Sequence, residues 1–171
     1  TVHLLQLWVN LPRAHKLVPA QHQTLRADQA PVRREPGAEL RVFSGASGSV
    51  RATTRNFAPV TMVEVRLEPN ATIVQDLPAG YNAFVVVLEG HGTMGSSSAA
   101  VRTGQVAWLT PSNEESTVTL SGDDQGLRAM LFAGLPLREP VAARGPFVMN
   151  TEEELRATFA EFRATRERFG L

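Results

Sequence analysis

Between about residue 39 and residue 134 the chain is divided into short apolar runs by Gly, Pro, Asn and Ser, recurring at intervals of about 8–12 residues. No helical periodicity intervenes, so the runs can be buried only as short strands of a sandwich or barrel. They are LRVFSG (40–45), an alternating stretch at 61–68, AFVVVL (83–88), QVAWLT (105–110), STVTLS (116–121) and LRAMLFAG (127–134). In the alternating stretch Thr61, Val63, Val65 and Leu67 share one face, and Met62, Glu64, Arg66 and Glu68 the other. The continuous run 83–88, bounded by Gly80 and Gly90, predicts a strand buried on both faces. EGHGTMG (89–95) reads as a turn and the Ser/Ala tract 96–100 as a loop.

The two ends differ from this middle. Residues 4–11 (LLQLWVNL) are dense in large apolar side chains and predict a buried strand ended by Pro12. Residues 12–38 show little periodicity, and a connector that long suggests a linker between domains. At the other end Thr151 and Glu154 form an S/T-x-x-E capping box. Leu155, Phe159 and Phe162 follow as one apolar stripe, with Arg163, Arg166 and Arg168 toward the negative end of the dipole and Gly170 closing the helix.

Composition excludes several functions. The formal net charge is zero, so no global field points to nucleic acid or to an anionic membrane surface. The absence of Cys removes disulfides, thiolate nucleophiles and thiolate metal sites. No apolar run reaches the roughly 18 residues of a transmembrane helix. The first residues resemble no export signal, which makes the cytoplasm the expected compartment, and the missing Met makes the start read as a cut end.

Both ends carry strings that resemble the pirin family. LLQLWVNLP (4–12), followed by Lys16 and Pro19, is similar to the junction between that family's two cupin domains. PLREPVAARGPFVMNTEEEL (136–155) and RFG (168–170) resemble its C-terminal signature, and LPAGYNAFVVVLEG (77–90) its degenerate second-cupin strand. One departure is Ala20-Gln21-His22-Gln23, where the family more often has an aromatic before the Gln. The resemblance implies an all-β fold: a cupin jelly-roll β-barrel or sandwich with an extra N-terminal strand and a C-terminal α-helix. It divides the chain into residues 1–37 (last strand of a first cupin, plus linker), 38–135 (the second, metal-free cupin) and 136–171 (a C-terminal extension). In the family the first cupin holds iron or a related divalent ion on three His and one Glu. That half is absent here except for residues 4–11, so no metal ligand, cofactor or catalytic residue is carried over.

The second cupin was tested for chemistry of its own. Aligned on Val87-Leu88-Glu89-Gly90, the places of a cupin's metal ligands fall near Leu77, Ala79, Ala83 and the segment Glu114-Glu115-Ser116. Apolar residues hold at least three of the four, so the site reads as vestigial. His3, His15, His22 and His91 are too scattered to form a ligand set, and Ser96–Ser98 lack a base and an orienting group. Gly90-x-Gly92-x-x-Gly95 has the letters of a dinucleotide fingerprint, but no helix opens after it. A vestigial cavity lined by Tyr81, Asn82 and Trp108 could take a flat ligand; the plainer reading puts Trp108 in the barrel core.

The resemblance implies two roles. One is a metal-free structural and interaction half of a regulatory cofactor. The other is the non-catalytic half of a quercetin 2,3-dioxygenase-like oxygenase. A partner surface is expected from Leu5, Leu7, Trp8, Val9, Phe147 and Met149. The partners expected are the first cupin or a second copy of this chain, and a transcription factor or metabolic enzyme beyond them.

Overall fold

A computed structural model describes residues 4–165. Its body is a jelly roll of ten strands: β1 (Val32–Glu35), β2 (Ala38–Ser44), β3 (Ala46–Ser47), β4 (Val50–Arg51), β5 (Val60–Leu67), β6 (Thr72–Leu77), β7 (Asn82–Met94), β8 (Ala99–Arg102), β9 (Val106–Leu109) and β10 (Ser116–Gly134). β7 and β10 are long enough to serve both layers. Their first-layer halves sit in the order β1-β2-β5-β10-β7, with β9 added beside β7; the remaining halves carry β6 beside β10 and β8 beside β7.

Alternation explains which side chains fill the space between the layers. Leu40 and Val42 from β2, Val63 and Val65 from β5, Val85 and Val87 from β7 and Leu131 from β10 are almost wholly buried. Ile73, Val118 and Leu120 meet them from the second layer in one core. A fully buried Leu or Val side chain contributes about 1.5–3 kcal/mol, which makes this core the main source of stability.

Glycines allow the long strands to bend past one another. The ladder between β7 and β10 shifts register between Gly122 and Leu127. Gly90 takes a φ of +80°, and a Cβ there would stand 2.1 Å from the Gly126 carbonyl oxygen. A Cβ on Gly92 would stand 1.9 Å from the Ser121 oxygen. The stretch expected to be a turn at 89–95 is therefore mostly strand, and its glycines answer to a close approach of backbones.

Other expectations are corrected in the same way. STVTLS and LRAMLFAG are two halves of the one strand β10. AFVVVL is buried fully on its Ala83, Val85, Val87 side, whereas Phe84, Val86 and Leu88 are half-buried. The sheet begins within the expected linker, because β1 pairs with β2 ahead of residue 38. Residues 4–12 form no strand. Composition there demands burial, but a strand also needs a ladder to bond its amides and carbonyls, and these residues join none among the described residues. Trp8 is consequently 66% exposed, and Leu4, Leu5 and Val9 are exposed with it.

Residues 4–20 and 137–165 make a second compact unit. In it a hairpin of β11 (Ala142–Arg144) and β12 (Phe147–Met149) leads into α1 (Glu152–Ala164). The capping box is present in both directions: the Glu154 amide donates to Thr151 Oγ1 and the Thr151 amide to Glu154 Oε2. The Asn150 amide donates to the same carboxylate, and these backbone bonds hold the Glu154 carboxyl below the usual carboxylate range. Arg13 reaches the other carboxylate oxygen with Nη2 at 2.8 Å, while its amide donates to Glu139. Leu155 is buried with Ala142 and Met149, and Phe147 packs edge-on to Phe159 and Phe162. Met149, expected on a partner surface, is thus part of this small core. Arg166, Arg168, Gly170 and His3 lie outside the described residues.

Candidate functional site

The interior at the ligand places of a cupin is hydrocarbon. Leu77 ends β6 and Ala83 is the second residue of β7, and both belong to the buried core. Ala79 is exposed in the turn between them, and Glu114 and Glu115 are exposed ahead of β10. Among the described residues no three of His, Cys, Asp and Glu are grouped so as to hold a metal. The donor set needed for a His- and Glu-held ion does not fit these positions. Gln75 is the largest uncharged polar side chain that is fully buried among the described residues. It is satisfied there, accepting from Ser47 Oγ at 2.6 Å and donating to the Ala46 and Asp76 carbonyls.

Two open cavities flank the barrel mouth. One, of about 390 Å³, is lined by Arg51, Thr61, Asp76, Leu77, Glu115 and Ser116. The other, of about 340 Å³, runs beside β9 and is lined by Leu77, Met94, Ser96, Trp108, Ser116 and Val118. Tyr81 is half-buried against the core, which pushes its hydroxyl pKa up, and Asn82 is exposed at the start of β7. Neither lines the described cavities, so the three residues expected around a vestigial cavity are not brought together there.

Trp108 is not a core residue; it is 75% exposed. β9 pairs Trp108 with Phe84 of β7, and β10 pairs Phe132 with Phe84, which places all three on the outer face of the first layer. Phe84 lies 4.9 Å from the Trp108 ring and 5.0 Å from the Phe132 ring, centroid to centroid. An aromatic row therefore leads from the buried Phe132 to the exposed Trp108.

One pleat further along the same face is a charge network that no sequence pattern announces. Glu64 of β5 has a side chain only 6% exposed. It accepts from Arg128 Nε at 2.8 Å, from Arg66 Nη2 at 3.0 Å and from Arg41 Nη1 at 3.4 Å. Arg128 also reaches Glu89 at 2.7 Å, and Arg41 reaches Glu39 at 2.9 Å. Burial alone would push the Glu64 carboxyl up, but bonds from Arg128 and Arg66 outweigh it and hold the group below its ordinary value. Alternation put Glu64 on the face opposite the core; the three arginines that cover it come from three strands, which no local pattern reveals.

The expected histidines stay apart. His91 is exposed on β7 with Asp123 3.8 Å away, His22 is exposed, and His15 lies in a 3-10 turn (Arg13–His15) of the other unit. Ser96–Ser98 sit in an exposed turn. The described residues thus offer an aromatic and ionic surface.

Residues 62–170 match the family model of the pirin C-terminal cupin domain. The chain belongs to the pirin family. Human pirin is 31% identical over 167 residues, covering 98% of this chain and 58% of human pirin. Among solved structures, quercetin 2,3-dioxygenase from Acinetobacter baumannii superposes with a TM-score of 0.81 at 28% identity, covering 93% of this chain and 55% of that one. GK1651 from Geobacillus kaustophilus is 46% identical with a TM-score of 0.76, over 78% of this chain and 54% of that chain. The pirin-family jelly roll anticipated from the sequence is therefore the fold, and the chain spans about half the length of the curated relatives it matches. Among the described residues no helix is long and apolar enough to cross a membrane.

Proposed function

We propose that this chain serves as the metal-free structural and interaction half of a pirin-like protein. The observation that carries the reading is the burial of Leu77 and Ala83 where a cupin would need metal ligands. In this reading the chain braces a metal-bearing first cupin and contributes surface rather than chemistry. Leu5, Trp8 and Val9, exposed in the N-terminal segment, supply apolar area for that contact, and Leu7 and Phe147 of the same unit are half-buried. A transcription factor or a metabolic enzyme is the further partner that a regulatory cofactor would take. The test is elemental mass spectrometry of the purified chain after exposure to iron under reducing conditions. Less than stoichiometric metal is expected; one tightly held ion per chain would overturn the reading.

A second reading is favoured by the likeness to the Acinetobacter protein named quercetin 2,3-dioxygenase. There this half would wall the substrate entrance of an oxygenase whose metal is held by the other half. Co-expression with a first cupin separates the two. Oxygenase activity that arises only in the pair supports the second reading, and capture of a regulatory partner by this half alone supports the first.

A further inference from the structure

From the edge of the first layer we infer that β9 is a self-association strand, which pairs antiparallel with β9 of a second copy of this chain. β9 bonds to β7 on one side, and its other side carries no ladder among the described residues. The alternate residues Val106 and Trp108 are exposed, and no described element is laddered over that side. Edge strands are normally blunted by charge, Pro or a bulge. The opposite edge, β1, follows that rule with Arg33, Arg34 and Glu35. β9 reads Val-Ala-Trp-Leu, with none of these devices, and exposes Val106 by 50% beside Trp108.

A second copy suits this edge better than a charged or helical partner. Two neutral strands related by a two-fold axis bring no like charges together, and the zero net charge of the chain leaves no long-range repulsion to overcome. A two-fold axis at Ala107 keeps each side chain on its own face and sets Val106 opposite Trp108 of the second copy. Two such β-branched–aromatic pairs then cover the exposed end of the aromatic row. The Trp108 ring already leans on Phe84 with centroids 4.9 Å apart, which lowers the ordering cost of association. The inference does not depend on the metal-free reading.

Sedimentation velocity of the whole chain across a concentration series tests it. A concentration-dependent dimer is expected, and Val106→Lys should raise its dissociation constant by about tenfold or more, since two added charges then flank the axis. Val106 is half-exposed, so the variant should keep the parent melting temperature. The chain has no Cys, so Ala107→Cys supplies a single thiol that should cross-link under mild oxidation. A monomer at every concentration overturns the proposal. So does a dimer that V106K leaves intact or that fails to cross-link through position 107, an outcome that would move the contact to the N-terminal segment.

Discussion

Arg128 and Glu64 are 64 residues apart in sequence, yet Nε of one lies 2.8 Å from a carboxylate oxygen of the other on neighbouring strands. The pair joins β5 to β10, and Arg66 and Arg41 complete the shell around the carboxylate. Removing the carboxylate leaves three cations facing one another beside the half-apolar face. Glu64→Gln should therefore cost about 2–4 kcal/mol, below the upper range for a fully buried pair because Arg66 and Arg128 are partly solvated. Urea unfolding of the two proteins measures the difference.

The same pair sets an acid limb on stability. The folded pKa of Glu64 lies below the ordinary value of 4.5, so its contribution is complete above that pH and fades as pH falls through the folded value. The gap in stability between the parent and E64Q should be constant near neutrality and narrow progressively below pH 4.5. A gap that stays level under acid conditions would show that the carboxylate is not held by its arginines.

Trp108→Ala tests where the ring sits. A Trp in a barrel core would cost about 3–5 kcal/mol on truncation. An exposed ring packed at a tilt against Phe84 should cost about 0.5–1.5 kcal/mol. Chemical denaturation decides between the two values.

Gly92→Ala is expected to be severe. The added carbon would fall 1.9 Å from the Ser121 oxygen, so the backbone of β7 or β10 must move. The expected loss is about 3 kcal/mol or more, read as a large fall in melting temperature or as insoluble expression.

Thr151→Ala removes the acceptor for the Glu154 amide while leaving the rest of the helix unchanged. It should cost about 1 kcal/mol, and Thr151→Ser should restore most of it. Amide hydrogen exchange over Glu152–Ala164 would locate the effect on α1.

What could be read from the sequence were features with local causes. Alternation at 61–67 and the capping box at Thr151 each arise within one element, and both are present as expected. What escaped reading depends on neighbours. Gly90 and Gly92 resemble turn residues until Ser121 and Gly126 of β10 lie against them. Glu64 resembles a solvent residue until Arg128 arrives from a distant strand. Residues 4–11 have strand composition but join no ladder among the described residues. The size of Trp108 suits a core, whereas the pleat of β9 turns it outward beside Phe84.

β10 is also the last strand of the jelly roll to be synthesised, and it separates β5 and β6 from β7 in space. Until residue 134 has left the ribosome, three earlier strands lack the neighbour against which they hydrogen-bond. Before then β5 can pair only with β2 and β7 only with β8 and β9, and β6 has no other ladder among the described residues, so the layers close on each other late. A truncation within β10 would leave a product for chaperones and proteases, not a smaller jelly roll.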